Sequence, residues 1–142
     1  MITNFSKKTK NDDSMSIDNL VKITALFVHA AKIDDNYTSN EKEIIADFLK
    51  STKKNINIED LIKKAEMDES NSNHILEYTR EVKKMDIELK TLILEAIWQI
   101  VLSDDKSGIY ESSLIRRICG LLYIPDKLSG DIKMNLLKRK KL

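Results

Sequence analysis

Six carboxylates carry the most pointed chemistry in the chain: Asp34, Asp35 and Glu41, then Asp104, Asp105 and Glu111. The two triplets have the same internal spacing and stand 70 residues apart. Hard cations such as Ca²⁺ and Mg²⁺ take carboxylate and carbonyl oxygens, and two acidic loops of this kind can supply them. Counting twelve positions from Asp34 or Asp104 reaches Ile45 or Ile115, where an EF-hand needs a bidentate glutamate, so that motif is excluded. A second account of the same residues needs no metal. Asp is a common turn residue, Thr38 and Glu41 stand in capping-box relation, and the helix dipole favours Glu111 in a first turn.

Other chemistry is thin. The single Cys and two His residues cannot build a zinc site of the Cys/His type, nor an internal disulfide. Cys119 lies among Ile115, Ile118 and Leu122 and reads as a small core hydrophobe. His29 reads as a partly buried structural histidine within reach of the first acidic loop, and His74 carries no signal. Trp98, with Ile97 and Val101, reads as helix packing. Gly108, Gly120 and Gly130 are too far apart for a phosphate-cradling loop, and no nucleophile elbow occurs. Paired acids such as Asp34 and Asp35 have no partner suggesting acid–base catalysis, so no enzyme is expected.

The elements that must position these residues are helices. Ser16 can cap a helix carrying Leu20, Thr24, Phe27, Val28 and Ala31, which Asp34–Tyr37 ends. A helix with Ile44, Ile45, Phe48 and Leu49 follows the Thr38–Glu41 box. Asn57 or Ile58 opens a third, with Leu61, Ile62 and Ala65, and the polar string Asp68–Asn73 separates it from a fourth with Ile75, Leu76, Thr79 and Val82. Asp86 can cap a strongly apolar fifth helix carrying Leu89, Leu92, Ile93, Ala96, Ile97, Ile100 and Val101. A sixth starts near Ile109, and Pro125 suits the first turn of a last one.

At the 70-residue offset, Ile44, Ile45, Phe48 and Leu49 also fall on the apolar Leu114, Ile115, Ile118 and Cys119. The arithmetic agrees with helices. With 142 residues, 42% hydrophobic, only 3 Gly and 1 Pro, the chain has the core of one domain and too few turn residues for a sandwich or barrel. The expectation is a single compact all-α bundle of six to seven helices in two helix–acidic loop–helix halves. Residues 1–15 read as a flexible lead-in, 16–137 as the helical domain and 138–142 as a basic C-terminal tail.

The acidic boxes resemble those of the TerB-like family, the helical domain named for bacterial tellurite-resistance proteins and also found in a DnaJ-type co-chaperone. That family shows Ala-Asp-Gly, four to five variable residues, then Glu, once per half. Here Ala31-Lys32-Ile33-Asp34-Asp35 leads to Glu41, and Ser103-Asp104-Asp105 leads to Glu111. The stretches Tyr78–Trp98 and Glu111–Ile118, with Leu121, Leu122 and Ile124, are also similar, so the likeness covers about residues 17–137. The chain departs in carrying Asp35 and Asp105 where the family keeps Gly, and Ile33 before Asp34. The resemblance implies a non-enzymatic role in stress or tellurite resistance. It further implies that the six carboxylates hold a divalent cation (Ca²⁺, Mg²⁺, Mn²⁺ or Zn²⁺). The alternative is a protein–protein interaction module, adaptor-like or co-chaperone-like, docking through its acidic loops or helical faces without metal.

The net charge of +1 is a cancellation. Residues 127–142 hold six basic groups against Asp131, and the remainder holds 18 basic and 22 acidic groups. No global field drives the chain onto nucleic acid, and nucleic-acid binding is not expected. Lys138–Lys141 can reach an anionic membrane surface weakly, although cations also suit a helix end. The start lacks an apolar signal core, and the run Leu92–Leu102 is too short to span a bilayer, so a cytoplasmic setting is expected.

Overall fold

The computed structural model describes residues 16–33, 37–52, 55–71, 75–103 and 109–141. Seven helices occur among them: α1 (Ile17–Ala31), α2 (Ser39–Thr52), α3 (Ile58–Ser70), α4 (Ile75–Val82), α5 (Ile87–Leu102), α6 (Ile109–Leu122) and α7 (Asp126–Lys141). No strand is found among the described residues.

Three starts come from side chains that the sequence marks as caps. Ser16 Oγ accepts from Asn19 N–H, Asn57 Oδ1 from Asp60 N–H, and Asp86 Oδ1 from Leu89 N–H, each satisfying one orphan donor. Pro125 stands one position earlier than expected. It precedes α7, and its carbonyl accepts from Ser129 N–H, so it is the cap and not the first turn. The polar string also begins later as a separator, because Asp68, Glu69 and Ser70 continue α3. Side-chain bonds from Glu69 back to α1 hold that last turn in place.

The core is built on two helices. In α1, Leu20, Ile23, Leu26, Phe27 and Val28 are fully buried, and in α5 Ile93, Leu94 and Ile97 are too. Such helices are apolar all round and must be wrapped by others. α1 packs against α3, α4 and α5, while α5 also takes α2, α6 and α7. The Phe27 and Phe48 rings meet edge to face at 4.9 Å, tying α1 to α2. One expected core residue is misplaced: Leu92 is 54% exposed, whereas Lys90 is 8% exposed.

The internal repeat is larger than the acidic boxes. Adding the same 70-residue offset carries α1 onto α5, α2 onto α6 and all of α3 onto α7, with Ser16 falling on the other cap, Asp86. α4 is the connector. The basic run Lys138–Lys141 belongs to the last turn of α7, where cations suit the dipole. Arg139 Nη2 there meets Glu95 Oε2 of α5 at 3.1 Å.

α6 ends in a Schellman motif: Ile124 N–H donates to the Cys119 carbonyl and Tyr123 N–H to the Gly120 carbonyl. The left-handed residue is Tyr123, at φ 60°, where glycine is the default. A non-glycine residue there costs about 1–2 kcal/mol.

Thr24 is fully buried in α1, and its Oγ1 has no hydrogen-bond partner among the described residues. An unsatisfied buried hydroxyl costs about 1–3 kcal/mol. Thr24→Val, equal in shape and without the hydroxyl, is therefore expected to raise unfolding stability by about 1 kcal/mol in urea titrations. A loss of stability would show that the hydroxyl is satisfied in solution.

Candidate functional site

The first acidic segment lies between the end of α1 and the start of α2, and both flanks are fastened. On the α2 side the expected capping box is present. Thr38 N–H donates to Glu41 Oε1 at 2.7 Å, and Glu41 N–H donates to Thr38 Oγ1 at 3.2 Å. Glu41 is 2% exposed, and the Thr38 hydroxyl also donates to its Oε1 at 3.2 Å. The box fixes where the loop ends and engages one oxygen of a candidate ligand.

Both flanks are also clamped to α3. Lys32 Nζ, just past α1, donates to Glu69 Oε1 at 2.8 Å. His29 Nδ1 stands 3.4 Å from Glu69 Oε2, so this histidine faces α3 rather than the loop. From the other flank Tyr37 O–H donates to Glu66 Oε2 at 2.8 Å, and Lys42 Nζ lies 3.4 Å from the same oxygen. The Lys42 ammonium also sits 5.1 Å from the Tyr37 ring centroid. Two α3 glutamates one turn apart thus hold four side chains that bracket residues 34–36.

The surroundings act on the Tyr37 hydroxyl. Desolvation pushes its pKa well above the ordinary 10.0, and the hydrogen bond to Glu66 and the charges of Glu66, Glu41 and Glu69 push the same way.

Asp34, Asp35, Asp104 and Asp105 lie outside the described residues, as does the side chain of Glu111, whose backbone is in the first turn of α6. Among the described residues, no three His, Cys, Asp or Glu side chains form a group able to hold a metal ion. One flank of each loop reaches the same groove. Asn40, one residue before Glu41, and Ser103, one residue before Asp104, line the same groove of about 380 Å³. Ile44, Gln99, Leu102 and Leu136 complete most of its wall. A second hollow continues along α2 and α5 through the shared Ile44 and Gln99 to Phe48 and Leu92.

The remaining candidates are structural. Cys119 is buried, and desolvation raises its thiol pKa, which makes it a poor nucleophile. Trp98 is buried and donates from Nε1 to Ser129 Oγ at 3.1 Å, joining α5 to α7. The clamp residues Lys32, Tyr37, Glu66 and Glu69 were not visible as a group in the sequence, because the α3 glutamates come together with the loop only through packing.

An all-α domain of two half-repeats, each joining an apolar helix to an acidic loop and a second helix, is the class that fold and site define. The model of the family described as tellurite resistance protein TerB matches residues 20–134, and the chain belongs to that family. No curated protein and no solved structure matched the chain. No helix among the described residues is long and apolar enough to cross a membrane.

The raised Tyr37 pKa ties its hydrogen bond to stability at alkaline pH. The folded value lies above the unfolded one, so its contribution is complete below pH 10.0 and is lost as pH rises beyond it. Tyr37→Phe is expected to cost about 1 kcal/mol at neutral pH and to flatten the fall in stability above about pH 10. Unfolding curves between neutral pH and pH 11 check both; an unaltered alkaline slope would contradict the assignment.

Proposed function

We propose that this TerB-family chain is a non-enzymatic cytoplasmic accessory protein whose two acidic loops bind a divalent cation at one shared place, in a stress or tellurite-type response. The observation that carries the reading is that Asn40 and Ser103, flanking the two acidic segments, line one groove. Asp34 and Asp104 follow the C-terminal ends of α1 and α5, where the dipole opposes negative charge by about 0.3–1 kcal/mol each. A bound cation offsets that cost. Asp34, Asp35, Asp104, Asp105 and Glu111 are the proposed ligands. Glu41 belongs to the same set, with one oxygen engaged by Thr38, and fixes the loop's end.

A second reading rests on the groove itself. Ile44, Leu102 and Leu136 give it an apolar wall, and Leu92 stands 54% exposed beyond it. An adaptor or co-chaperone-like module would use such a surface and need no metal.

Thermal unfolding with Ca²⁺, Mg²⁺, Mn²⁺ and Zn²⁺ in turn distinguishes the two. A cation at a hundred times its dissociation constant is expected to stabilise the protein by about 2.7 kcal/mol. Asp34→Asn with Asp104→Asn is expected to abolish that gain and, by removing two charges that the dipole opposes, to leave the metal-free midpoint unchanged or slightly raised. No stabilisation of the unmodified protein by any of the four cations removes the metal reading and leaves the docking one.

A further inference from the structure

We propose that Lys83, Lys90 and Tyr123 form a binding seat for a phosphate-class oxyanion, near the start of α5 and the end of α6, the ends away from the second acidic loop that joins them. Lys83 lies just past α4, Lys90 lies in α5, and Tyr123 follows α6. Both ammonium groups stand 5.9 Å from the centroid of the one Tyr123 ring, so they are no farther apart than twice that distance. The Tyr123 ring thus draws both ammoniums to one side chain.

Four features make this more than a solvated lysine pair. Among the described residues, neither Lys83 nor Lys90 has a carboxylate within ion-pair distance. The carboxylates nearest Lys83 in sequence are engaged elsewhere, Glu81 with Lys84 and Asp86 as the cap of α5, and Glu88, two residues before Lys90, makes no ion pair with it. Lys90 is only 8% exposed, and lysine is almost never buried without a partner. The 70-residue repeat sets Lys90 on Leu20, which is fully buried, so the second half has put a cation where the first has core leucine.

Tyr123 adds an independent cost. It holds a left-handed backbone at φ 60° in a helix-ending position where glycine is free of strain, yet its side chain is 71% exposed and buries little. The cap needs a left-handed residue but not an aromatic one, and here the ring is the piece that gathers the two lysines. Two ammoniums supply up to six N–H donors, and the phenol supplies an O–H donor. That donor set suits a tetrahedral, doubly charged oxyanion. Free phosphate and a phospholipid headgroup share this chemistry.

Calorimetric titration of the full chain with sodium phosphate at low ionic strength is the test. Saturable binding is expected. Lys83→Gln should weaken it about tenfold, the effect of losing one charged hydrogen bond. Lys90→Leu copies the first half-repeat, so it should fold normally and lose binding. Tyr123→Gly, which relieves the backbone strain, should also fold and bind more weakly. Vesicles of phosphatidylcholine with and without phosphatidic acid form the second arm. Retention on the acidic vesicles that Lys90→Leu abolishes assigns the headgroup, and phosphate binding without retention assigns the free anion. The proposal is overturned if neither phosphate nor vesicles bind, or if binding survives unchanged in Lys90→Leu and Lys83→Gln.

Discussion

The packing of α1 against α5 is the constraint on which the rest of the molecule depends. Each is apolar on nearly every side, so neither can face water, and each must be enclosed by other helices. Residues such as Phe27 and Ile97 are fully buried, which stabilises the fold by roughly 1.5–3 kcal/mol per side chain. The two helices occupy equivalent places in the repeat, and α3 lies on α1 as α7 lies on α5. The domain is therefore two copies of one three-helix unit, joined through the helix that each copy can least afford to expose.

That arrangement also places the chemistry. An acidic loop follows each central helix, so burying α1 and α5 together brings the flanks of both loops to one groove, lined by Asn40 and Ser103. The two halves then diverge. The first loop is fixed by the Thr38–Glu41 box and by Glu66 and Glu69 of α3. In the second, Gly108 stands where the first has Thr38, so the same hydroxyl cap is not available. The second half instead carries Lys90 in place of Leu20, next to the strained Tyr123. The two halves match in helix order and differ in the side chains they carry at matching positions.

Much of the fold is legible in the sequence because local signals agree with the packing. Ser16, Asn57 and Asp86 cap helices as their residue types suggest, and the spacing of Thr38 and Glu41 is a true capping box. The paired acidic boxes also mark the TerB family. Periodicity alone failed at α5, where so many positions are apolar that it cannot tell which one faces out. Leu92 is exposed and Lys90 is not, and only the comparison with Leu20 hints at it. Long-range side-chain pairing was invisible for a different reason. Lys32 and Glu69 are 37 residues apart, as Tyr37 and Glu66 are 29 apart, and nothing local links them. Of the candidate metal ligands, the spacing gave the set, and Glu41 alone has its side chain placed among the described residues.

Native-state hydrogen exchange tests the central claim, that α1 and α5 form a single core shared by both halves. The amides of both helices are expected to exchange only through global unfolding, with one common free energy equal to that from denaturant titration. If α5, α6 and α7 keep their protection after α1, α2 and α3 have exchanged, the halves are independent units and the account is wrong.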